Sequence, residues 1–98
     1  MIKHIVFLSL LDEADGRSRE ENAKLIKAGL ERLVGIVDGL RVAQVGINTN
    51  GGKYDLCLYS EFDSMEHLKA YQTHPEHLKV RELVSKVRAD RAAVDFEV

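Results

Sequence analysis

The clearest pattern in the chain is the spacing of its hydrophobic residues. They recur every two residues at the start, about every 3.6 residues in the middle segments, and every two residues again at the end. Residues 2–11 alternate between faces and are rich in β-branched and aromatic side chains, which predicts a strand. One face carries His4, Val6, Leu8 and Leu10. The other carries Lys3, Ile5, Phe7 and Ser9. Both faces are therefore largely apolar.

A helix is predicted next, after a polar turn over residues 12–17. Ser18 and Glu21 have the spacing of a capping box, so the helix begins there and runs to about Val34. Its inward stripe is Asn22, Ile26, Gly29, Leu30 and Leu33. A mid-helix glycine costs about 1 kcal/mol relative to alanine. Gly29 therefore indicates close approach to the sheet, or room left for a pocket.

The second half of the chain predicts two strands, a broken helix and a last strand. The strands span residues 40–47 and 54–62, joined by a hairpin-type loop over 48–52. Asp63 and Glu66 repeat the capping-box spacing before a short helix. Pro75 then opens a further helix, because proline fits the first helical position. The inward residues of that helix are predicted to be Leu78, Leu83, Val84 and Val87.

Residues 91–98 alternate again and complete the order β-α-β-β-α(α)-β. This order predicts one ferredoxin-like α+β domain over residues 1–98, with a four-stranded antiparallel sheet. Helices cover only one face of such a sheet. We expect the other face to display Ile5, Phe7, Val45, Ile47, Cys57 and Tyr59. An apolar patch of this size predicts a homodimer in which two sheets pack face to face.

Composition narrows the class of protein. The 98 residues are 45% hydrophobic and 31% charged with a formal net charge of −2, which fits a globular domain. That charge gives no bulk attraction for nucleic acid or anionic membrane. Cys57 is the single cysteine, so neither an intrachain disulfide nor a cysteine-rich metal site is expected. The apolar start is too short to span a bilayer, and we expect a cytoplasmic protein.

Candidate chemistry is concentrated at the break before the chain's only proline. Tyr71, His74 and His77 surround Pro75 and are expected to meet at an interhelical corner. His67 lies nearby and is expected to be a solvated surface residue. The spacing of these histidines is a weak metal signal, because Pro75 turns His74 and His77 apart. No metal or other cofactor is therefore expected.

The chain resembles the stress-responsive A/B barrel domain family, a branch of the dimeric α+β barrels. The resemblance rests on residues 1–6, 21–22, 45–46, 54–56, 59–64, 70–71, 74–77 and 94–96. It implies a ferredoxin-like protomer whose dimer closes its sheets into a barrel. One member is a polyketide cyclase that performs an aldol condensation between sheet and helices. The resemblance places its catalytic tyrosine and histidine at Tyr71 and His77. One of its pocket histidines falls on His4, and a second falls on Leu56, where this chain has leucine instead.

Two interpretations of these residues remain open at this stage. In the first, the protein is a stress-associated dimer with a small-molecule pocket and no turnover, Tyr71 packs in the core, and His77 bonds a backbone carbonyl. In the second, it is a cofactor-independent lyase or cyclase in which His77 is the base and Tyr71 polarises a carbonyl. His4 and Leu56 are expected to line the pocket. His74 is expected at its border, capping the helix or closing the turn.

Overall fold

The computed structural model describes residues 1–98 as one four-stranded sheet, a small hairpin and three helices. In chain order the elements are β1 (Ile2–Leu10), β2 (Glu13–Ala14), β3 (Arg17–Ser18), α1 (Arg19–Glu31), β4 (Leu40–Ile47), β5 (Leu56–Phe62), α2 (Met65–Gln72), α3 (Pro75–Val87) and β6 (Arg88–Glu97). The sheet order is β4-β5-β1-β6 and every pairing is antiparallel. The predicted ferredoxin-like α+β fold is confirmed.

The core lies between one face of the sheet and the helices. It is a single cluster of 18 buried residues, to which the first strand contributes Ile2, Val6, Leu8 and Leu10. The helices contribute Ile26, Leu30, Leu68 and Val80, among others. Because alternate strand residues point to opposite faces, His4 enters this layer with its neighbours Val6 and Leu8.

The first helix begins as predicted but ends earlier. Both hydrogen bonds of the Ser18–Glu21 capping box are present. The α-helix stops at Glu31 rather than near Val34, and turns follow as far as Ile36 and include Gly35, whose φ is +88°. The predicted polar turn is a tight hairpin between β2 and β3, because Asp15 and Gly16 both adopt positive φ.

The prediction of a second capping box at Asp63 and Glu66 is wrong. Ser64, not Asp63, caps α2 by accepting from the amide of His67, while Asp63 binds Arg41. The imidazole of His67 also bonds the Ser64 hydroxyl at 2.7 Å. It lies against Gly39, where an added Cβ would come within 2.2 Å of the ring. His67 is therefore a partly packed residue at the start of α2, with 35% of its side chain exposed.

Two other predictions about the helix layer are corrected. Leu78 is exposed, and Val80 and Val87 are the buried residues of α3. Gly29 approaches α3 rather than the sheet, since a Cβ there would lie 3.1 Å from a methyl group of Val80. The glycine therefore lets α1 and α3 pack closely.

No part of the chain covers the second face of the sheet. Its apolar members include Phe7, Val94 and Phe96, which are 39%, 59% and 43% exposed. Val45 is wrongly predicted to lie there. It pairs with Leu58 on the helix side and is buried. Ile47 shares that side by alternation but extends beyond the helices and stays exposed.

Candidate functional site

A cavity of about 310 Å³ opens between β1 and the α2–α3 corner. Its apolar wall consists of Val6, Leu8, Leu30, Leu58, Val80 and Val84. Three of the sequence-predicted residues, His4, Tyr71 and His77, also line it. A mostly apolar concavity with a few polar groups is the usual form of a small-molecule site.

Tyr71 lies between the two histidines. Its ring stacks on that of His77 with centroids 3.8 Å apart and planes inclined by 21°. The ring of His4 meets it edge-on at 6.2 Å. The Pro75 break produces this arrangement, because α2 ends at Gln72 and α3 brings His77 back over the last turn of α2.

The protonation pattern of His77 is fixed by the backbone. Its Nδ1 donates to the carbonyl oxygen of Tyr71 at 3.0 Å, so in the neutral ring the lone pair is on Nε2. Burial lowers the pKa of His77 to about 4, although the bond to the carbonyl opposes this shift. The imidazole is therefore neutral at physiological pH, with one nitrogen able to accept a proton.

Tyr71 is a hydrogen-bond donor rather than a base. Burial raises the pKa of its phenol well above the usual value, and the charge of Arg81 opposes this only in part. The side chain is buried, and no protein group pairs with its hydroxyl. The hydroxyl is accessible from the cavity that Tyr71 lines, so a ligand oxygen there can accept its hydrogen bond.

His4 is oriented by an acid that the sequence analysis did not select. Its Nδ1 lies 2.5 Å from Oδ1 of Asp95, the residue directly opposite it on β6. A carboxylate only accepts, so Nδ1 carries the proton and Nε2 is left without a protein partner. The antiparallel pairing of the first and last strands is the signal that could have identified Asp95.

Two predicted pocket residues do not line the cavity. Leu56 is buried in the core opposite Leu8, and it is not among the residues that line the cavity. His74 caps α3, and its Nδ1 accepts from the amide of Glu76 at 3.1 Å. Because that cap fixes the imidazole on the backbone, His74 has a structural place at the corner, one of the two alternatives open from sequence.

Three arginines were also missed as lining residues: Arg81, Arg88 and Arg91. Arg81 donates to the carbonyl of Gln72 at 3.0 Å. No group of three or more histidine, cysteine or acidic side chains is arranged to hold a metal ion. None of the helices has the length and apolar character needed to cross a bilayer.

The fold and the cavity together define a ferredoxin-like domain with a site between sheet and helices. Residues 2–98 match the model of the stress responsive A/B barrel domain, and the chain belongs to that family. Among curated proteins, none matches the chain significantly.

Solved structures give the same fold. A dimeric ferredoxin-like protein of unknown function from Bacteroides fragilis is 35% identical, with a TM-score of 0.85 over 99% of this chain and 95% of that one. A dimeric ferredoxin-like protein from Thermobifida fusca is 24% identical, with a TM-score of 0.82 over 99% and 90%. The hydroxynitrile lyase of Passiflora edulis is 14% identical, with a TM-score of 0.75 over 99% and 92%.

Proposed function

We propose that the protein is a homodimeric, cofactor-independent lyase or cyclase acting on polyketide-like carbonyl compounds. The observation that carries this proposal is the grouping of one donor and two oriented imidazoles on the wall of a single cavity. Such a set is sufficient for proton abstraction next to a carbonyl.

In the proposed reaction, Nε2 of His77 takes a proton from a carbon adjacent to a carbonyl. The electrons move onto the carbonyl oxygen, where the Tyr71 hydroxyl stabilises the developing charge. The resulting enolate carbon attacks a second carbonyl of the same molecule and forms a C–C bond. The imidazolium of His77 returns its proton to the new alkoxide, so no oxidant or cofactor is required.

His4 lines the pocket in this scheme and acts on the ligand through Nε2, which can accept from an enol or hydroxyl group. Asp95 is a positioning residue, because it touches His4 and not the cavity. A lyase in the same fold supports the reaction class as a possibility of this architecture.

The experiment is cyclisation of linear polyketide thioesters, followed by liquid chromatography and mass spectrometry. We expect wild type to form the cyclic aldol product above the buffer rate, with His77→Ala and Tyr71→Phe losing at least tenfold in rate. His67→Ala is the matched control and should keep the wild-type rate, since His67 packs against Gly39 away from the cavity. Equal rates in all four proteins would refute catalysis.

A second function, binding without turnover, is favoured by three observations. Tyr71 is buried in the core cluster and Nδ1 of His77 bonds a backbone carbonyl, as the interpretation without turnover expects. The third is the basicity of His77. The pKa of His77 is about 4, and an imidazole with that value is a weak base. Under this alternative the same ligands raise the melting temperature of the wild type but are recovered unchanged. A ligand that raises the melting temperature but gives no product would support binding without turnover.

The homodimer is proposed on the open face of the sheet. Phe7, Val94 and Phe96 are exposed there, and the Bacteroides fragilis and Thermobifida fusca proteins are described as dimeric. We expect a sedimenting species of about 22 kDa, twice the 11.0 kDa of the chain, at micromolar concentration.

Val94→Lys places a charge on that face and should give an 11.0 kDa species. Leu25→Lys makes the same type of change on an exposed position of α1 and should leave the dimer intact. A wild type that sediments as a monomer would disprove the dimer.

A further inference from the structure

The mouth of the cavity has an uncompensated positive charge. Arg81, Arg88 and Arg91 line the cavity, and no aspartate or glutamate is among its 14 lining residues. All three arginines come from α3 and the beginning of β6, one continuous stretch of chain.

These three differ from every other arginine in the protein. The remaining four each lie within ion-pair distance of a carboxylate: Arg17 with Asp15, Arg19 with Asp12, Arg32 with Glu76 and Arg41 with Asp63. No carboxylate lies within 4.0 Å of the guanidinium of Arg81, Arg88 or Arg91. Each of the other arginines thus has a carboxylate partner, whereas Arg81 has only the backbone carbonyl of Gln72. The charge of Arg88 reaches Asp90, but that carboxylate is already paired with Lys53.

We propose that the natural ligand of this cavity is a small organic acid with an apolar body, whose carboxylate binds Arg88 and Arg91 and whose body fills the space beneath them. The proposal rests on the proposed function of the same site and names its ligand class. Guanidinium groups suit a carboxylate, because they offer paired N–H donors in a plane.

The register of the sheet sets the length of such a ligand. Arg91 lies opposite Leu8, and Asp95 lies opposite His4, four residues further along each strand. Four residues of strand span about 13 Å. An acid held at the arginine end therefore extends along Val6 and Leu8 towards His4, Tyr71 and His77.

The cavity volume limits the size of the ligand. At about 310 Å³ it is at the low end of small-molecule sites, which span roughly 300–1,000 Å³. Arg81 links the two ends of the site, because its charge lowers the pKa of both Tyr71 and His77.

The test is isothermal titration calorimetry of the wild-type protein with 4-phenylbutanoate and its neutral counterpart, 4-phenylbutanamide. We expect the acid to bind at least tenfold more tightly than the amide. Inorganic phosphate tests whether the arginines bind any anion or prefer an organic acid. We expect phosphate to bind at least tenfold more weakly than the acid. The ligand comparison needs no variant and so does not depend on one that folds.

Arg88→Gln/Arg91→Gln should weaken binding of the acid at least tenfold and leave binding of the amide unchanged. Lys24→Gln/Lys69→Gln is the matched control, since neither lysine forms an ion pair and both double variants move the net charge from −2 to about −4, by loss of two cations. The control should bind the acid like the wild type.

The proposal is overturned if the acid does not bind up to 10 mM (roughly the weakest affinity of interest). It is also overturned if acid and amide bind equally, if phosphate matches the acid, or if the arginine variant binds the acid like the wild type. His77→Ala separates the two proposals, because it should slow cyclisation at least tenfold while the protein still binds the acid at least tenfold more tightly than the amide. Binding without cyclisation refutes only catalysis, whereas cyclisation without binding of acids refutes only the ligand class.

Discussion

The two faces of the sheet are made by alternate residues of the same strands and differ in what covers them. On one face His4, Val6 and Leu8 are buried beneath helices and border a cavity. On the other, Ile5 and Phe7 face away from every helix. A strand with a period of two thus supplies one wall of the candidate ligand cavity and a proposed association surface at once. Substitutions one residue apart should therefore have different physical consequences.

The two faces also differ in how their polar and charged side chains are paired. The helix side has buried polar groups held in fixed geometry, such as His4 with Asp95. The open side has a self-contained cluster in which Lys3 binds Tyr59 at 2.6 Å and Glu61 at 2.7 Å. Each cation there already has its anion, so a partner sheet can cover the cluster without leaving a buried charge unpaired.

The largest effect is expected from Phe62→Ala on the covered face. Phe62 is fully buried, and its ring centroid lies 4.9 Å from that of Tyr71. Truncation leaves a cavity and should cost about 3–5 kcal/mol in the free energy of unfolding. Urea denaturation at fixed protein concentration measures it. A cost below about 1 kcal/mol would mean that the helix layer is not packed as described.

Phe7→Ala should act on association instead of folding. Phe7 is half-exposed in the protomer, beside Tyr54 at 5.7 Å between ring centroids. Loss of an aromatic anchor should weaken dimerisation by about 1–3 kcal/mol, roughly 10-fold to 100-fold in Kd. Sedimentation across a dilution series measures that Kd. Leu25→Ala, an exposed apolar truncation on α1, is the control and should leave it unchanged.

His77 predicts a pH dependence that belongs to the covered face alone. Its pKa is about 4 in the folded state against the ordinary 6.5, so the unfolded chain binds more protons between those values. Stability should fall as pH drops from about 6.5 to 4, by roughly 1–2 kcal/mol after allowance for solvent screening. Urea midpoints should show a shallower slope for His77→Gln. Parallel curves for both proteins would contradict the burial of this imidazole.

The smallest effect is expected from Glu61→Gln on the open face. The ammonium of Lys3 lowers the pKa of Glu61, so the acid is ionised and paired at neutral pH. Removing its charge leaves Lys3 with Tyr59 alone, and the dimer should weaken less than with Phe7→Ala. Glu97→Gln, an exposed acid on the edge strand, is the control for net charge. If Glu61→Gln and Glu97→Gln change the Kd of the dimer equally, the net charge of the protein alone would account for the effect.

The period of the strands and the helix-start signals could be predicted from sequence, since both depend on neighbours in the chain. Ser18 with Glu21 caps α1 as expected, and His4 faces the helices. Alternation says which residues share a face but not which face they take. Val45 and Ile47 share a side as expected, but it is the helix side, because Val42, Gln44 and Gly46 occupy the open one.

From the sequence, only those parts of the candidate site could be predicted that depend on residues close together in the chain. The Pro75 break predicted that Tyr71 and His77 would approach each other. Asp95 and the arginines of the cavity are distant in sequence from those residues, and only the pairing of β6 with β1 brings them there. His74 and His67 had the right residue type, but groups at helix starts hold both imidazoles: the amide of Glu76 bonds His74, and the hydroxyl of Ser64 bonds His67.

The passage from α3 directly into β6, with no loop between them, has a consequence for how this fold diversifies. Arg81, Val84, Ser85, Arg88 and Arg91 all come from that one uninterrupted stretch. The groups for proton transfer come from β1, Tyr71 and the first turn of α3. Exchanging the eleven residues 81–91 would thus change the proposed ligand preference of the domain and leave the groups proposed for proton transfer in place. Selection, or an engineer, could alter one without the other.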